Sequence, residues 1–221
     1  MKKPPCNSFG IMIVALLIQL LLFPKMSSTQ TTIVSNADGV ISLLKSKAEQ
    51  PATMEQFVRL LPAAFGFGDS ISYKLDRDSL LTSLLSLGVI PEDVTVDFNK
   101  PLTKGRVSVV LIKSMRIEKG SLLEKLMISL FKSQEACFRV ALREKLIPAG
   151  DTEDMVTSKE LAAIMLAVAV LNISNPLPQA DRHCIELFAE TIIKNGIIGS
   201  AETREILDLV DPSAIKSILA L

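Results

Sequence analysis

The stretch Ser86-Leu87-Gly88-Val89-Ile90-Pro91 ends an apolar run on a glycine, adds two aliphatic residues and breaks on proline. A backbone of positive φ just past a helix is cheap only for glycine. The stretch therefore reads as a helix stop whose aliphatic pair folds back on the helix it closes. Arg143-Glu144-Lys145-Leu146-Ile147-Pro148 repeats the pattern 57 residues on, and Lys194-Asn195-Gly196-Ile197-Ile198-Gly199 a further 51 on; Lys145 stands where the other two have glycine. Each stop is followed by a polar loop and then a helix start, at Thr103, at Thr157 and at Asp211 with Pro212 behind it.

Apolar residues recurring at intervals of three and four predict helices over Gly39–Ala48, Met54–Ala64, Arg77–Leu87, Lys104–Met115, Leu122–Phe131, Gln134–Lys145, Ser158–Leu171, Arg182–Asn195 and Pro212–Leu221. Thr53 with Gln56, and Thr157 with Glu160, have the spacing of a capping box. Nothing alternates long enough to compel a sheet. The expected fold is all-α: three helix-loop-helix repeats in a pseudo-threefold bundle over 77–221, preceded by a short helical N-terminal arm and linker over 30–76. Leu80, Cys137 and Phe188 each stand eight residues before their stop, so one phase of equivalent helices is expected to face a common centre.

Composition excludes several classes. Lys and Arg number 24 against 24 acidic residues and only 5% of the chain is aromatic. Strong nucleic-acid binding needs excess positive charge, so no nucleic-acid partner is expected. A hydrophobic content of 48% excludes a disordered chain. One His and three scattered Cys leave no zinc cluster or haem pair, and no metal or cofactor is expected.

Met1-Lys2-Lys3 precedes an apolar run from Phe9 to Phe23, stopped by Pro24 and followed by Ser27-Ser28-Thr29-Gln30. This is the layout of a signal peptide over 1–29, and the run is shorter than the ~20 apolar residues of a membrane span. A retained signal anchor is the alternative, and the only expected contact with a membrane. Cleavage would remove Lys2, Lys3 and Lys25, leaving 21 basic and 24 acidic residues on an exported chain. Export also permits a Cys137–Cys184 disulfide, the alternative being that each is a small buried apolar residue.

Leu87-Gly88-Val89-Ile90-Pro91, Pro101-Leu102-Thr103-Lys104-Gly105, Ile117-Glu118-Lys119-Gly120-Ser121-Leu122 and Ala141 through Gly150 together resemble S-layer homology modules, in the form of a divergent S-layer-homology-like domain of exported bacterial envelope proteins. The resemblance covers about residues 77–171 and, more weakly, 182–221. It implies a non-enzymatic module of the periplasm or cell envelope of a bacterium whose grooves hold cell-wall polysaccharide. The family's motif at the second helix start falls on Thr103, Lys104 and Arg106 and on Thr157, Lys159 and Glu160, which are the expected glycan-binding residues. The family's Trp is missing. Two cations behind Thr103 oppose the helix dipole and would welcome an anionic glycan, so the first set is expected to outrank the second. The bland alternative is that the threonines are caps and the charges a solvated first turn.

Enzyme chemistry has little to stand on. His183 has no second ligand at helical spacing, and Ser70 in Phe65-Gly66-Phe67-Gly68-Asp69-Ser70 fits neither a nucleophile elbow nor a phosphate loop. The acidic run Asp151–Asp154 ahead of Glu160 has the wrong residues for a calcium loop. The competing function is a periplasmic protein-interaction or structural module that binds other envelope proteins, with Leu122–Phe131 as an apolar stripe.

Overall fold

The computed structural model describes residues 39–72, 74–117, 122–131 and 133–208. The signal-peptide segment, Asp211 and the helix expected over Pro212–Leu221 lie outside the described residues. Within them the chain is all-α, with two isolated antiparallel bridges and no strand: α1 (39–46), α2 (Met54–Ala64), α3 (Arg77–Ser86), α4 (Lys104–Ser114), α5 (Leu122–Phe131), α6 (Gln134–Arg143), α7 (Ser158–Ser174), α8 (Arg182–Asn195) and α9 (Ser200–Leu207). No described helix is long and apolar enough to cross a membrane.

The helix ends follow from the sequence signals. Thr53 and Thr157 form the expected capping boxes with Gln56 and Glu160, and Thr103, Asp76 and Ser133 cap α4, α3 and α6. The stop chemistry is more widespread than the three-copy pattern implied. At Gly66, Gly88, Arg116 and Lys145 the N–H of the left-handed residue and that of its successor donate to the carbonyls of the preceding turn. Gly196 makes the first of these bonds, and the five φ values run from 51° to 82°. Aliphatic or aromatic residues follow each stop, and Val89, Ile90, Leu146, Ile147, Ile197 and Ile198 are buried.

One difference concerns the third stop. A polar loop was expected behind Ile198, but Ser200–Leu207 is α9. Glu202 reaches back to accept the Gly199 N–H at 3.1 Å, and Leu207 is buried beside half-buried Ile206, so the segment has both a start and an apolar anchor.

One core holds all of this together. Helix α7 is apolar on every side, with 12 of its 17 residues buried, and so takes the centre. It packs on α8, α2 and α9, while α4 packs on α6, and α2 also meets α3 and α8. Asn172 of α7 donates to the terminal carbonyl of Ala64 in α2 at 3.1 Å. Leu80, Cys137 and Phe188 are all buried, as their common phase predicted, and Cys137 and Cys184 are both free thiols in the interior.

Candidate functional site

The first N–H groups of a helix have no partner within it, which makes a helix start attractive to anions. Here that capacity is already used. Behind Thr103, the N–H groups of Lys104 and Gly105 donate to Asp154 O and Thr152 O at 2.9 and 2.8 Å, and Val156 N–H returns a bond to Leu102 O. Behind Thr157, Ser158 and Lys159 donate to Gln50 O and Ala48 O, both at 2.9 Å, and Ala52 N–H returns a bond to Val156 O. Each helix start is thus stitched to a neighbouring loop. Gly105 makes the first joint close, since a Cβ there would lie 3.0 Å from Thr152 O.

The cations behind Thr103 do not face a groove. Lys104 is buried; its Nζ donates to Ala149 O at 2.7 Å and lies 3.2 Å from Glu160 Oε1 and 3.7 Å from Asp154 Oδ2. The conflict with the helix dipole is relieved inside the molecule. Gly150 closes over this charge, because a Cβ there would overlap both Lys104 Nζ and the Asp154 carboxylate. Arg106 is half-buried and donates to Pro101 O at 2.8 Å.

Thr157, Lys159 and Glu160, by contrast, come together on a cleft of about 670 Å³. Its floor is aliphatic, from Leu146, Ile147, Ala163 and Ile164 among others, and its rim alternates in charge. Lys159 pairs with Glu202 at 3.2 Å and Lys145 with Glu205 at 3.7 Å, so two exposed ion pairs tie α9 across one side. The Gly199 N–H first, and then Lys159, hold the Glu202 carboxyl below the usual carboxylate value. Lys145, Glu49, Glu202 and Glu205 were not expected in a site. The signal for Lys145 was its place at a stop where glycine is the norm.

A second cavity, of about 490 Å³, lies where the polypeptide leaves α3. Leu85, Gly88, Ile90 and Pro91 line it, each 57 residues before Leu142, Lys145, Ile147 and Pro148 of the first cleft. Its charged residues are Glu92, Asp93, Lys113 and Arg116, of which Lys113 pairs with Asp93.

Elsewhere, His183 is exposed, and among the described residues no group of three His, Cys, Asp or Glu is placed to hold a metal. Burial pushes the thiols of Cys137 and Cys184 up to about 11, which keeps them protonated and unreactive near neutral pH. Compared with protein-family models, with curated proteins and with solved structures, the chain matches none.

Proposed function

We propose that the protein is a non-enzymatic cell-envelope module that binds cell-wall polysaccharide in the cleft at Thr157. One observation carries the reading: of the six residues the sequence singled out, the three behind the second helix start line one cleft. Lys159 and Lys145 sit on its rim at 37% and 59% side-chain exposure, with exposed carboxylates as partners, so an acidic sugar can replace those carboxylates at little cost. The site therefore moves from Lys104 and Arg106, whose charges are engaged within the fold, to Lys159 and its neighbours.

The repeat belongs to the same proposal, with its register counted from helix starts. Pro51-Ala52-Thr53, Pro101-Leu102-Thr103 and Met155-Val156-Thr157 open three helices in which buried and half-buried positions fall alike: Met54, Lys104 and Ser158 are buried, Gln56, Arg106 and Glu160 half-buried, and Phe57, Val107 and Leu161 buried again. Three units on this register, with the N-terminal arm as the first, form the pseudo-threefold bundle. Identical backbone bonds at two of its joints support it.

Co-sedimentation with purified cell-wall sacculi tests the function. Wild type and Arg106→Ala are expected in the pellet at low salt, and Lys159→Ala mostly in the supernatant. A wild type that never pellets would favour the second reading, a protein-interaction module, which the aliphatic floor and the lack of any aromatic lining residue support.

A further inference from the structure

We infer that α5 is a membrane-surface helix, which lays a leucine face on an anionic lipid bilayer with the cations around it on the headgroups. This contact is separate from the N-terminal apolar run and from the Thr157 cleft. Seven of the ten residues of α5 are apolar, a share like that of central α7, yet none of residues 124–129 is buried. The inner line of the helix is short. Glu124 pairs with Arg143 of α6 at 3.3 Å and keeps only 17% side-chain exposure, and Ile128, one turn on, packs against the core. Leu126 stands two residues from each, about 200° round the helix, and at 48% is the most exposed large apolar residue among the described residues. Leu122 and Leu130 fall one turn either side of it, so the three leucines follow one line of the helix.

An apolar line turned outward needs a cover, and charge says which. Residues 98–150 hold 11 of the chain's 24 Lys and Arg but only four of its 24 Asp and Glu. Around α5 the imbalance is local. The one acid of the helix is turned inward onto Arg143, while its one lysine, Lys125, is exposed. Arg139 is exposed one turn before Arg143 on α6, and exposed Arg116 lines the second cavity together with Ile128 and Ser129 of α5. Lys119 and Lys132 bracket the helix in the sequence. An apolar face between cations suits an anionic bilayer surface, because the leucines enter the headgroup boundary while each nearby cation gains from negative lipid.

The test reads insertion at α5 itself, in the full chain carrying Cys6→Ser, where buried Cys137 and Cys184 leave one introduced thiol to label. A polarity-sensitive dye is placed on Leu126→Cys or, as the control, on Lys194→Cys near the end of α8, a helix packed on α7 and α2. The vesicles are phosphatidylglycerol mixed with phosphatidylcholine, or phosphatidylcholine alone. The dye at 126 is expected to brighten and shift to the blue only on the phosphatidylglycerol vesicles and to lose that response in high salt, while the dye at 194 stays unchanged. Reversing charge with Lys125→Glu and Arg139→Glu should raise the lipid concentration for half response roughly tenfold or more, at an unchanged melting temperature because both residues are exposed. A dye at 126 that is silent on every vesicle, or equally bright on both kinds, overturns the inference, as does a double variant that responds like the parent. A silent dye together with a dimer that Leu126→Asp dissociates would give the face to a second copy of this chain.

Discussion

At Thr103 and at Thr157 the first two N–H groups of a helix donate to a neighbouring loop with nearly the same geometry. Yet the lysine that follows is buried in one and lies on a cleft rim in the other. Lys104 is the first residue past its cap, a position also buried at Met54 and Ser158; Lys159 is the second past its cap and is half-buried. A shift of one residue turns a helical side chain by about 100°, enough to exchange core for surface. The lesson is that the motif fixes the backbone joint, while the phase within the first turn decides whether a charge serves the fold or a ligand.

Glu160 belongs to both joints and gives the sharpest way to break the comparison. Its Oε2 accepts the Thr157 N–H at 2.9 Å while its Oε1 faces Lys104. Glu160→Ala leaves a buried cation with only Asp154 and one carbonyl, and is expected to cost about 2–3 kcal/mol, less than a fully buried pair because Glu160 is partly exposed. The matching change Arg106→Ala, at the same position behind the first cap, is expected to cost no more than about 0.5 kcal/mol. Urea unfolding midpoints check both; equal losses would mean that the two joints bear charge alike.

The caps themselves differ less. Thr157 accepts the Glu160 N–H at 3.1 Å within a reciprocal box, whereas Thr103 accepts the Arg106 N–H at 3.4 Å with no return bond. Thr157→Ala is expected to cost about 1–1.5 kcal/mol and Thr103→Ala about half of that. Denaturation of the two variants side by side orders them, and a reversed order would show that the capping box adds nothing here.

How far the sequence could be read follows from these particulars. Caps and stops are local, so most helix ends fall within two residues of expectation, and α2, α5 and α8 match their expected bounds residue for residue. α9 escaped because its start is a glycine with no capping side chain and its apolar residues crowd at the far end. The stops do not by themselves mark repeat units, since the same stop chemistry also closes α2 and α4. The register proposed above rests instead on the Pro-x-Thr at both 51–53 and 101–103. Burial of Lys104 was illegible, because it depends on the loop 149–154 arriving from far along the chain with Asp154 and a bare Gly150.

The smallest expected effect concerns acid. Glu55, in the first turn of α2, is held below the usual carboxylate value first by Arg77 and then by Arg59, and Glu202 likewise by the Gly199 N–H and Lys159. A carboxyl with a lowered folded-state value contributes stability above its unfolded value, and that contribution is lost as pH falls through the folded value. Glu55 joins α2 to Arg77 at the head of α3, in the body of the fold. Its contribution is therefore expected in global stability, at a few tenths to about 1 kcal/mol, and Glu55→Gln should flatten the decline in unfolding free energy on acidification below about pH 4.5. Glu202 holds only α9, whose sole buried residue is Leu207. Its protonation should leave global stability untouched and speed hydrogen exchange within 200–207 alone. Glu202→Gln should produce that faster exchange already at neutral pH. If it instead lowered the urea midpoint, α9 would be part of the cooperative core, and the Thr157 cleft would have a fixed wall where the exposed ion pairs describe a lightly held one.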